Sequence, residues 1–324
     1  MNMFRWGIIG TGGIARAFAD DITNLRDHKV CAVLSRNIET AKQFSHSIND
    51  CLGYDNQQAF LNDDNIDAVY VATPNNLHCN QTILALKACK PVLCEKPFSM
   101  DADEAHLMIQ TSKKFSTTLL DGMWMRYLPH ILKLKEIINE RHIGDIQSIY
   151  ACHGQNLQWS KNPRLWTKEL GGGALLDLGI YVVSFCHMIL GKPENIVSQS
   201  VFTDNNIDAK TTMIFKYNNG IIANLSCSMF DSQPNRAVIS GTKGYIELDP
   251  TFYAPTIMTL SINNGDLIHY KNEYKGHGLR EQAIEMEHCV KNKLIESSKM
   301  PHRDTLEVIN IMDEVRDKIG LTFK

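Results

Sequence analysis

Three short stretches bring together residue types that suit redox chemistry. Gly10-Thr11-Gly12-Gly13-Ile14-Ala15 spells G-x-G-x-x-A, Lys96 sits in Glu95-Lys96-Pro97, and Asp177 and Tyr181 stand four residues apart. The glycine pattern fits a dinucleotide. Gly10 permits a tight turn, Gly12 lets the backbone approach a pyrophosphate, and Ala15 is small enough for a helix to pack on a strand. The helix start then offers N–H groups and a positive dipole end to the phosphates. Moving a hydride to or from a carbon that bears oxygen also needs a group that takes or gives the proton on that oxygen. Lys96 and Tyr181 are the candidates, an amine and a phenol that can each hold or release a proton at that oxygen. Asp177 and Tyr181, at i and i+4 of a helix, share a face one turn apart. Asp177 is placed to accept from a substrate hydroxyl or to orient Lys96.

The second strand ends at Leu34-Ser35-Arg36-Asn37, with no acid where an NAD site places one for the ribose hydroxyls. Arg36 can pair with a 2′-phosphate or stack on adenine, and Ser35 can donate to the same phosphate, so NADP(H) is expected in preference to NAD(H). Ala72, Thr73, Pro74, Asn75 and His78 should lie at a strand's carboxyl end, where the cofactor crosses the sheet, with His78 either contacting the nicotinamide ribose or simply beginning a helix. Trp124 and Arg126 are expected to flank the cofactor crevice. Trp159, Arg164 and Trp166, in the loop before Gly171, are expected either over the substrate, with Trp166 as a contact, or packed between domains. No histidine stands at metal-binding spacing, and no metal is expected.

These residues need a frame. Up to about residue 122, apolar runs alternate with helical patterns: strands at Phe4–Ile9, Val30–Leu34, Ala68–Ala72, Val92–Cys94 and Thr117–Leu120, helices at Gly13–Thr23, Glu39–Ser47, Leu77–Cys89 and Asp101–Phe115. That alternation predicts βαβ units and a parallel sheet. Residues 123–324 read differently, as an α+β domain with an open-faced mixed or antiparallel sheet. Helices are expected at Pro129–Glu140, Leu175–Leu190, Leu279–Lys293 and Thr305–Ile319. Hairpins are expected at Asn218-Asn219-Gly220 and Asn263-Asn264-Gly265, where Asn-Gly suits a turn that needs positive φ.

Bulk properties narrow the classes. The chain has 324 residues, enough for two cores, and 44% of them are hydrophobic. The formal net charge of −3 argues against a nucleic-acid surface. The nine cysteines form no C-x-x-C pair and read as reduced thiols of a cytoplasmic protein. The apolar run Ala174–Leu190 contains Asp177 and His187 and is shorter than a bilayer span, so no membrane partner is expected.

Val71-Ala72-Thr73-Pro74-Asn75-Asn76-Leu77-His78 and Cys94-Glu95-Lys96-Pro97, with the glycine motif, resemble the Gfo/Idh/MocA oxidoreductases. Met123-Trp124-Met125-Arg126-Tyr127 and Gly171-Gly172-Gly173-Ala174-Leu175-Leu176-Asp177-Leu178-Gly179-Ile180-Tyr181 are similar to the branch holding dimeric dihydrodiol dehydrogenases and NADP-dependent D-xylose dehydrogenases. The resemblance implies a Rossmann domain followed by a sheet domain that buries a homodimer interface. It implies Glu95 and Lys96 at the cofactor, and Lys96, Asp177 and Tyr181 at the substrate end. It also implies an NADP(H)-dependent exchange of hydride with a CH–OH or C=O group of a sugar or trans-dihydrodiol. Two alternatives stay open: an NAD-dependent glycoside hydrolase of the same architecture, and a dinucleotide-sensing regulator without catalysis.

Overall fold

Strands covered by helices on both faces must be apolar along their length. Ala68-Val69-Tyr70-Val71 and Val92-Leu93-Cys94 meet that demand, and all of these residues are buried. The computed structural model describes residues 3–48, 51–158, 163–263, 265, 267–271 and 274–323. In it, β1 (Phe4–Ile9), β2 (His28–Leu34), β3 (Leu52–Tyr54), β4 (Ala68–Val71), β5 (Val92–Glu95) and β6 (Leu119–Gly122) form one parallel sheet. Its order, β3-β2-β1-β4-β5-β6, reverses beside β1, which makes a topological switch point. The connecting helices are α1 (Gly13–Ile22), α2 (Ile38–His46), α3 (Gln57–Leu61), α4 (His78–Lys87) and α5 (Ala102–Phe115). The expected D-x-x-E start of α5 is present, with Asp101 accepting from the Glu104 N–H at 2.9 Å.

A second sheet follows α6 (Pro129–Asn139). It contains β7 (Ile146–Gly154), β8 (Asn195–Phe202), β9 (Asp208–Lys216), β10 (Ile222–Ser228), β11 (Ala237–Gly241), β12 (Gly244–Leu248), β13 (Met258–Ile262) and β14 (Leu267–Tyr270), in the order β14-β13-β12-β11-β7-β10-β9-β8. Only β7 and β10 pair in parallel, so the sheet is mixed. The hairpin at Asn218–Gly220 forms as expected, with Gly220 at φ +84 and β9 antiparallel to β10. The second expected hairpin includes Asn264, which lies outside the described residues; its flanking strands β13 and β14 pair antiparallel. One face of the sheet carries Val197, Ile214, Asn224 and Tyr150 in one cross-strand row and Lys216, Ile222, Ser148, Ser240 and Tyr245 in the next. Val197, Ile214, Tyr150, Ile222 and Tyr245 are exposed.

The buried face packs against α7 (Ile180–Leu190) and the turn before it. The expected uniform helix over Leu175–Leu190 is instead a π-helical turn at Leu175–Gly179 followed by α7. A π turn widens the helix by one residue and is common beside functional sites. Gly179 accounts for its closeness to the sheet: a Cβ there would stand 3.1 Å from Cys227 Sγ on β10. The stretch Lys168–Leu190 reaches the length and hydropathy of a membrane span, but 78% of its most apolar 18-residue window is buried. It is a core element of this sheet unit.

The chain divides into two compact units, Met1–Trp124 with Lys275–Leu306, and Met125–Tyr274 with Glu307–Lys324. The expected second domain, 123–324, is corrected on this point: Lys275–Leu306, which includes α8 (Arg280–Lys291) and the start of α9 (His302–Ile319), belongs to the parallel-sheet unit. Hydrogen bonds explain the return. Asp21 on α1 accepts from the His277 and Leu279 N–H groups, each at 2.6 Å. Leu119 N–H donates to Ile295 O at 2.9 Å, and Thr305 Oγ1 donates to Asp121 Oδ2 at 3.1 Å. The returning segment thereby serves polar groups at α1 and β6 that burial would otherwise leave unpaired.

Candidate active site

In the parallel-sheet unit the candidate residues gather at the carboxyl ends of β1, β2, β4 and β5. Gly10 has φ +113, and a Cβ there would lie 2.5 Å from Ala72 O, so no other residue fits this crossing of two loops. Its N–H donates to Leu34 O at 2.9 Å, and Ala72 N–H donates to Ile9 O at 2.9 Å, which ties the three strand ends together. α1 starts at Gly12 with no side-chain cap and no acid in its first turn. A Cβ on Gly12 or Gly13 would meet nothing within 4 Å. The start of α1 therefore presents unpaired N–H groups to open space, the arrangement that binds a phosphate. Ala15 is fully buried, whereas Ile14 is partly exposed.

At the end of β2, Ser35 N–H donates to Tyr54 O at 3.0 Å. Arg36 is exposed and makes no ion pair among the described residues. Asn37 Oδ1 accepts from Glu39 N–H at 2.7 Å and begins α2. A cation and a hydroxyl thus stand beside each other where the ribose of a dinucleotide is read. After β4, Thr73 Oγ1 is buried without a hydrogen-bond partner among the described residues. That orphan, the open helix start and the Gly10 crossing together fit a dinucleotide.

His78 begins a helix, one of its two expected places. It opens α4, is 1% exposed, and sets Nδ1 2.8 Å from Pro97 O and Nε2 3.0 Å from Thr73 O. Both nitrogens meet backbone carbonyls, so the ring braces the loop after β4 against the loop after β5. Glu95 is likewise turned inward. The Tyr70 hydroxyl donates to its carboxyl, and Lys96 N–H donates to Oε2 at 3.2 Å. Burial pushes the Glu95 carboxyl up to about 7, against the pull of the Tyr70 hydroxyl and the Lys96 charge. Glu95 holds the strand end from which Lys96 emerges, and the Lys96–Pro97 bond is cis. Trp124 is buried.

The sheet unit holds the other candidates. Arg164 Nη2 donates to Asp177 Oδ1 at 3.1 Å. Tyr181 is 5% exposed, with its ring centroid 4.5 Å from that of Tyr253 and 5.3 Å from that of His153. His153 and Tyr253 stand 4.1 Å apart. Gln155 Nε2 joins them, donating to His153 Nε2 at 2.9 Å and to the Tyr253 hydroxyl at 3.1 Å. Sequence reasoning missed His153, Gln155 and Tyr253, because strand and loop positions carry no motif.

Two further expected site residues make contacts within the sheet unit. Arg126 is 1% exposed; Nε donates to Ser184 Oγ at 3.0 Å, and Nη2 to Ser184 O and His187 Nδ1, each at 3.1 Å. It braces α7. Trp166 spends its indole N–H on Leu157 O at 3.1 Å and packs against the core cluster that contains Leu165, Leu178, Ile207 and Met229. Trp159 lies outside the described residues. Asp27, His28 and Glu287 group at metal-ligand spacing. The Trp6 indole N–H donates to His28 Nδ1 at 3.1 Å, so Nε2 carries the proton toward Glu287 Oε2 at 3.2 Å, and neither nitrogen offers a lone pair to a metal.

Comparison with known proteins agrees with this architecture. Residues 4–122 match the oxidoreductase family with an NAD-binding Rossmann fold known as Gfo/Idh/MocA, and residues 131–247 match the C-terminal domain of the same family. The chain is 32% identical to a trans-1,2-dihydrobenzene-1,2-diol dehydrogenase of Xenopus tropicalis, covering 98% of this chain and 99% of the relative. It is 31% identical to the dehydrogenase of that name from Mus musculus, with 98% of each covered. Among solved structures it is similar to a 3-ketoreductase from Actinomadura kijaniata in complex with NADP and TDP-benzene, with a TM-score of 0.87, 24% identity and 98% of each chain covered. An aldose–aldose oxidoreductase from Caulobacter crescentus complexed with glycerol gives a TM-score of 0.86 at 22% identity, again with 98% of each chain covered.

The Glu95 environment yields a pH dependence. The folded carboxyl keeps its proton up to about pH 7, whereas the unfolded one loses it near its ordinary value of 4.5. The folded state therefore binds more protons across that window, and the Glu95 contribution to stability falls as pH rises through it. Glu95→Gln should melt at a temperature that gains on the parent between about pH 5 and about pH 8. A melting difference that stays constant over that range would remove the buried-carboxyl account.

Proposed function

The chain belongs to the Gfo/Idh/MocA family of oxidoreductases, and from that premise we propose that it is an NADP(H)-dependent enzyme. Its reaction exchanges a hydride with a CH–OH or C=O group of a small ring carrying hydroxyls, a trans-dihydrodiol or a sugar. The observation that carries the reading is the carboxyl edge of the parallel sheet, where α1 starts uncapped under open space and Lys96 leaves the end of β5. Gly10, Thr11, Gly12, Gly13, Ile14 and Ala15 would hold the pyrophosphate through backbone N–H groups. Arg36 and Ser35 would hold a 2′-phosphate, and Thr73, Pro74 and Asn75 would line the crossing. The bound nicotinamide supplies or accepts the hydride. The ketoreductase solved with NADP supports the phosphorylated form of the cofactor.

The chain's own part is the proton. Lys96 and Tyr181 give a proton to the substrate oxygen in reduction and take it in oxidation. Asp177, its direction fixed by Arg164, accepts from a neighbouring substrate hydroxyl. The rings of His153, Tyr181 and Tyr253 offer flat apolar faces to a ring-shaped substrate. The relatives that act on dihydrobenzenediol support that shape. Neither Arg36 at the ribose position nor the presence of Lys96 favours the hydrolase or the sensor reading.

The exposed sheet face supports a homodimer. Val197, Ile214 and Tyr150 share a row, and Ile222 and Tyr245 fall in the adjacent one. An apolar face of this kind is stabilised by covering it with a second copy. Ile214→Glu should convert a dimer to a monomer in sedimentation equilibrium. A parent protein that sediments as a monomer would overturn the dimer.

Two kinetic tests separate cofactor from chemistry. Arg36→Ala should weaken NADPH binding by at least tenfold and NADH binding by less than about twofold in fluorescence titration, the scale of one charge-assisted phosphate contact. Equal losses would sink the 2′-phosphate assignment. Lys96→Ala and Tyr181→Phe should each lower kcat by about 100-fold, the scale of one general acid/base, with NADPH affinity nearly intact. Wild-type kcat in both, on a panel of dihydrodiols and aldoses, would remove them from the mechanism.

A further inference from the structure

The helix that carries Asp177 and Tyr181 begins without a local cap. Ala174 precedes it and offers no side-chain acceptor. The Leu175 N–H instead donates at 2.6 Å to Asp208 Oδ2, from the first residue of β9. Thr211 Oγ1 reaches the same oxygen at 3.5 Å. The other oxygen, Oδ1, presses on Gly173, whose φ of +118 and lack of a Cβ leave it room; a Cβ there would overlap Oδ1. β9 is hydrogen-bonded to β8 on one side and β10 on the other, so Asp208 sits on a rigid support.

Resting on the catalytic reading above, we propose that Asp208 is a positioning residue, a latch that fixes the rotation of the Leu175–Gly179 turn and so the directions of Asp177 and Tyr181. The turn is held at two points. Leu175 is bound by Asp208, and Gly179 lies against Cys227 of β10. Asp177 stands between them, and Tyr181 follows two residues later. Leu175, Leu176 and Leu178 are buried, but apolar packing has no direction and leaves a helix free to rotate or slip. A carboxylate accepting a backbone N–H at a helix start is directional and is favoured by the dipole.

The burial makes the role specific. Asp208 is fully buried, and burial pushes its carboxyl up to about 7, opposed by the Leu175 N–H and the Thr211 hydroxyl. The thiol of Cys227, itself pushed well above its ordinary value by burial, is the titratable group that faces it. An acid in such a place costs stability. The directed bond to the helix start is what it supplies in return.

The test is kinetic and uses the full-length protein. Asp208→Ala should lower kcat by at least about tenfold, the order expected from a sub-ångström to 1 Å misplacement, with NADPH affinity within about twofold of the parent. Asp208→Asn, which keeps an oxygen acceptor for Leu175 N–H, should restore most of that kcat. Added to Tyr181→Phe, Asp208→Ala should cost clearly less than it does in the parent, because the share of its effect that acts through Tyr181 is already gone and only Asp177 is left to position. Wild-type kcat in Asp208→Ala overturns the latch, as does a loss that multiplies in full with that of Tyr181→Phe. If Asp208→Ala does not fold, Gly173→Ala, which displaces Oδ1, carries the same comparison with the same two overturning results. Wild-type kcat in Tyr181→Phe alone overturns the catalytic reading instead, so the two failures are distinct.

Discussion

The first N–H groups of any helix lack partners within the helix, and the places where this chain supplies or withholds acceptors organise both of its units. Asn37, Asn56 and Asp101 cap α2, α3 and α5 from their own local sequence. α6 begins with Pro129, which has no N–H to satisfy. α4 and α8 also begin without a side-chain cap, and two further starts bear on the site. At α1 no side chain caps the donors, and open space lies over Gly12 and Gly13. At Leu175 the acceptor arrives from another strand, as Asp208. The first start is left for an anion, and the second is closed by one of the chain's own. In the proposed reading, recognition in the parallel-sheet unit is therefore a backbone property, whereas in the sheet unit it rests on side chains whose directions are imposed by the strands beneath them.

Buried charge does the imposing. A guanidinium carries only donors and stays ionised, so Arg126 must find acceptors once it is buried. It takes the hydroxyl and carbonyl of Ser184 and Nδ1 of His187. Because Arg126 cannot accept, His187 Nδ1 is the acceptor, and Nε2–H is left to donate to Glu307 Oε2 at 2.8 Å. One tautomer follows from the geometry. α7 is thus fixed at its middle by Arg126, and the turn before it by Asp208. Tyr181 lies between these two anchors, on a helix with little freedom to turn. In the proposed reading, where Tyr181 transfers the proton, that rigidity is a gain, because the efficiency of transfer depends on distances held within a few tenths of an ångström.

What the sequence discloses follows from how local each cause is. The glycine motif, the strand before it and the helix after it are neighbours along the chain, so G-x-G-x-x-A is legible as a crossing loop and an open helix start. Arg36 is legible for the same reason, two residues past the end of β2. The parallel sheet and the mixed sheet follow from periodicity, which reports which faces are buried. Chemistry-bearing side chains are less legible, since residue type does not say which way a side chain turns. Arg126, Trp166 and His78 all belong to ligand-binding types, and all three are spent on bracing, through partners such as Ser184, Leu157 and Pro97. His153, Gln155 and Tyr253 come from a strand and a loop that share no motif, and only the fold brings their side chains together. The return of Lys275–Leu306 to the first unit is equally hidden, because it depends on the needs of Asp21 and Leu119, more than 170 residues earlier in each of those pairings.

The two glycine runs show how far residue type can mislead. Gly12-Gly13 and Gly171-Gly172-Gly173 look alike on the page, and each precedes a helix start. At Gly12 and Gly13 an added Cβ would meet nothing, so glycine there leaves room for something other than the chain. At Gly172 a Cβ would stand 2.5 Å from Leu165 O, and at Gly173 it would overlap Asp208. Glycine there lets the chain approach itself. Only the first run has the physics of a phosphate cradle, since its backbone donors face unfilled space. In the second run the space is filled by a carboxylate that already performs, from inside the fold, the task a bound anion would perform from outside.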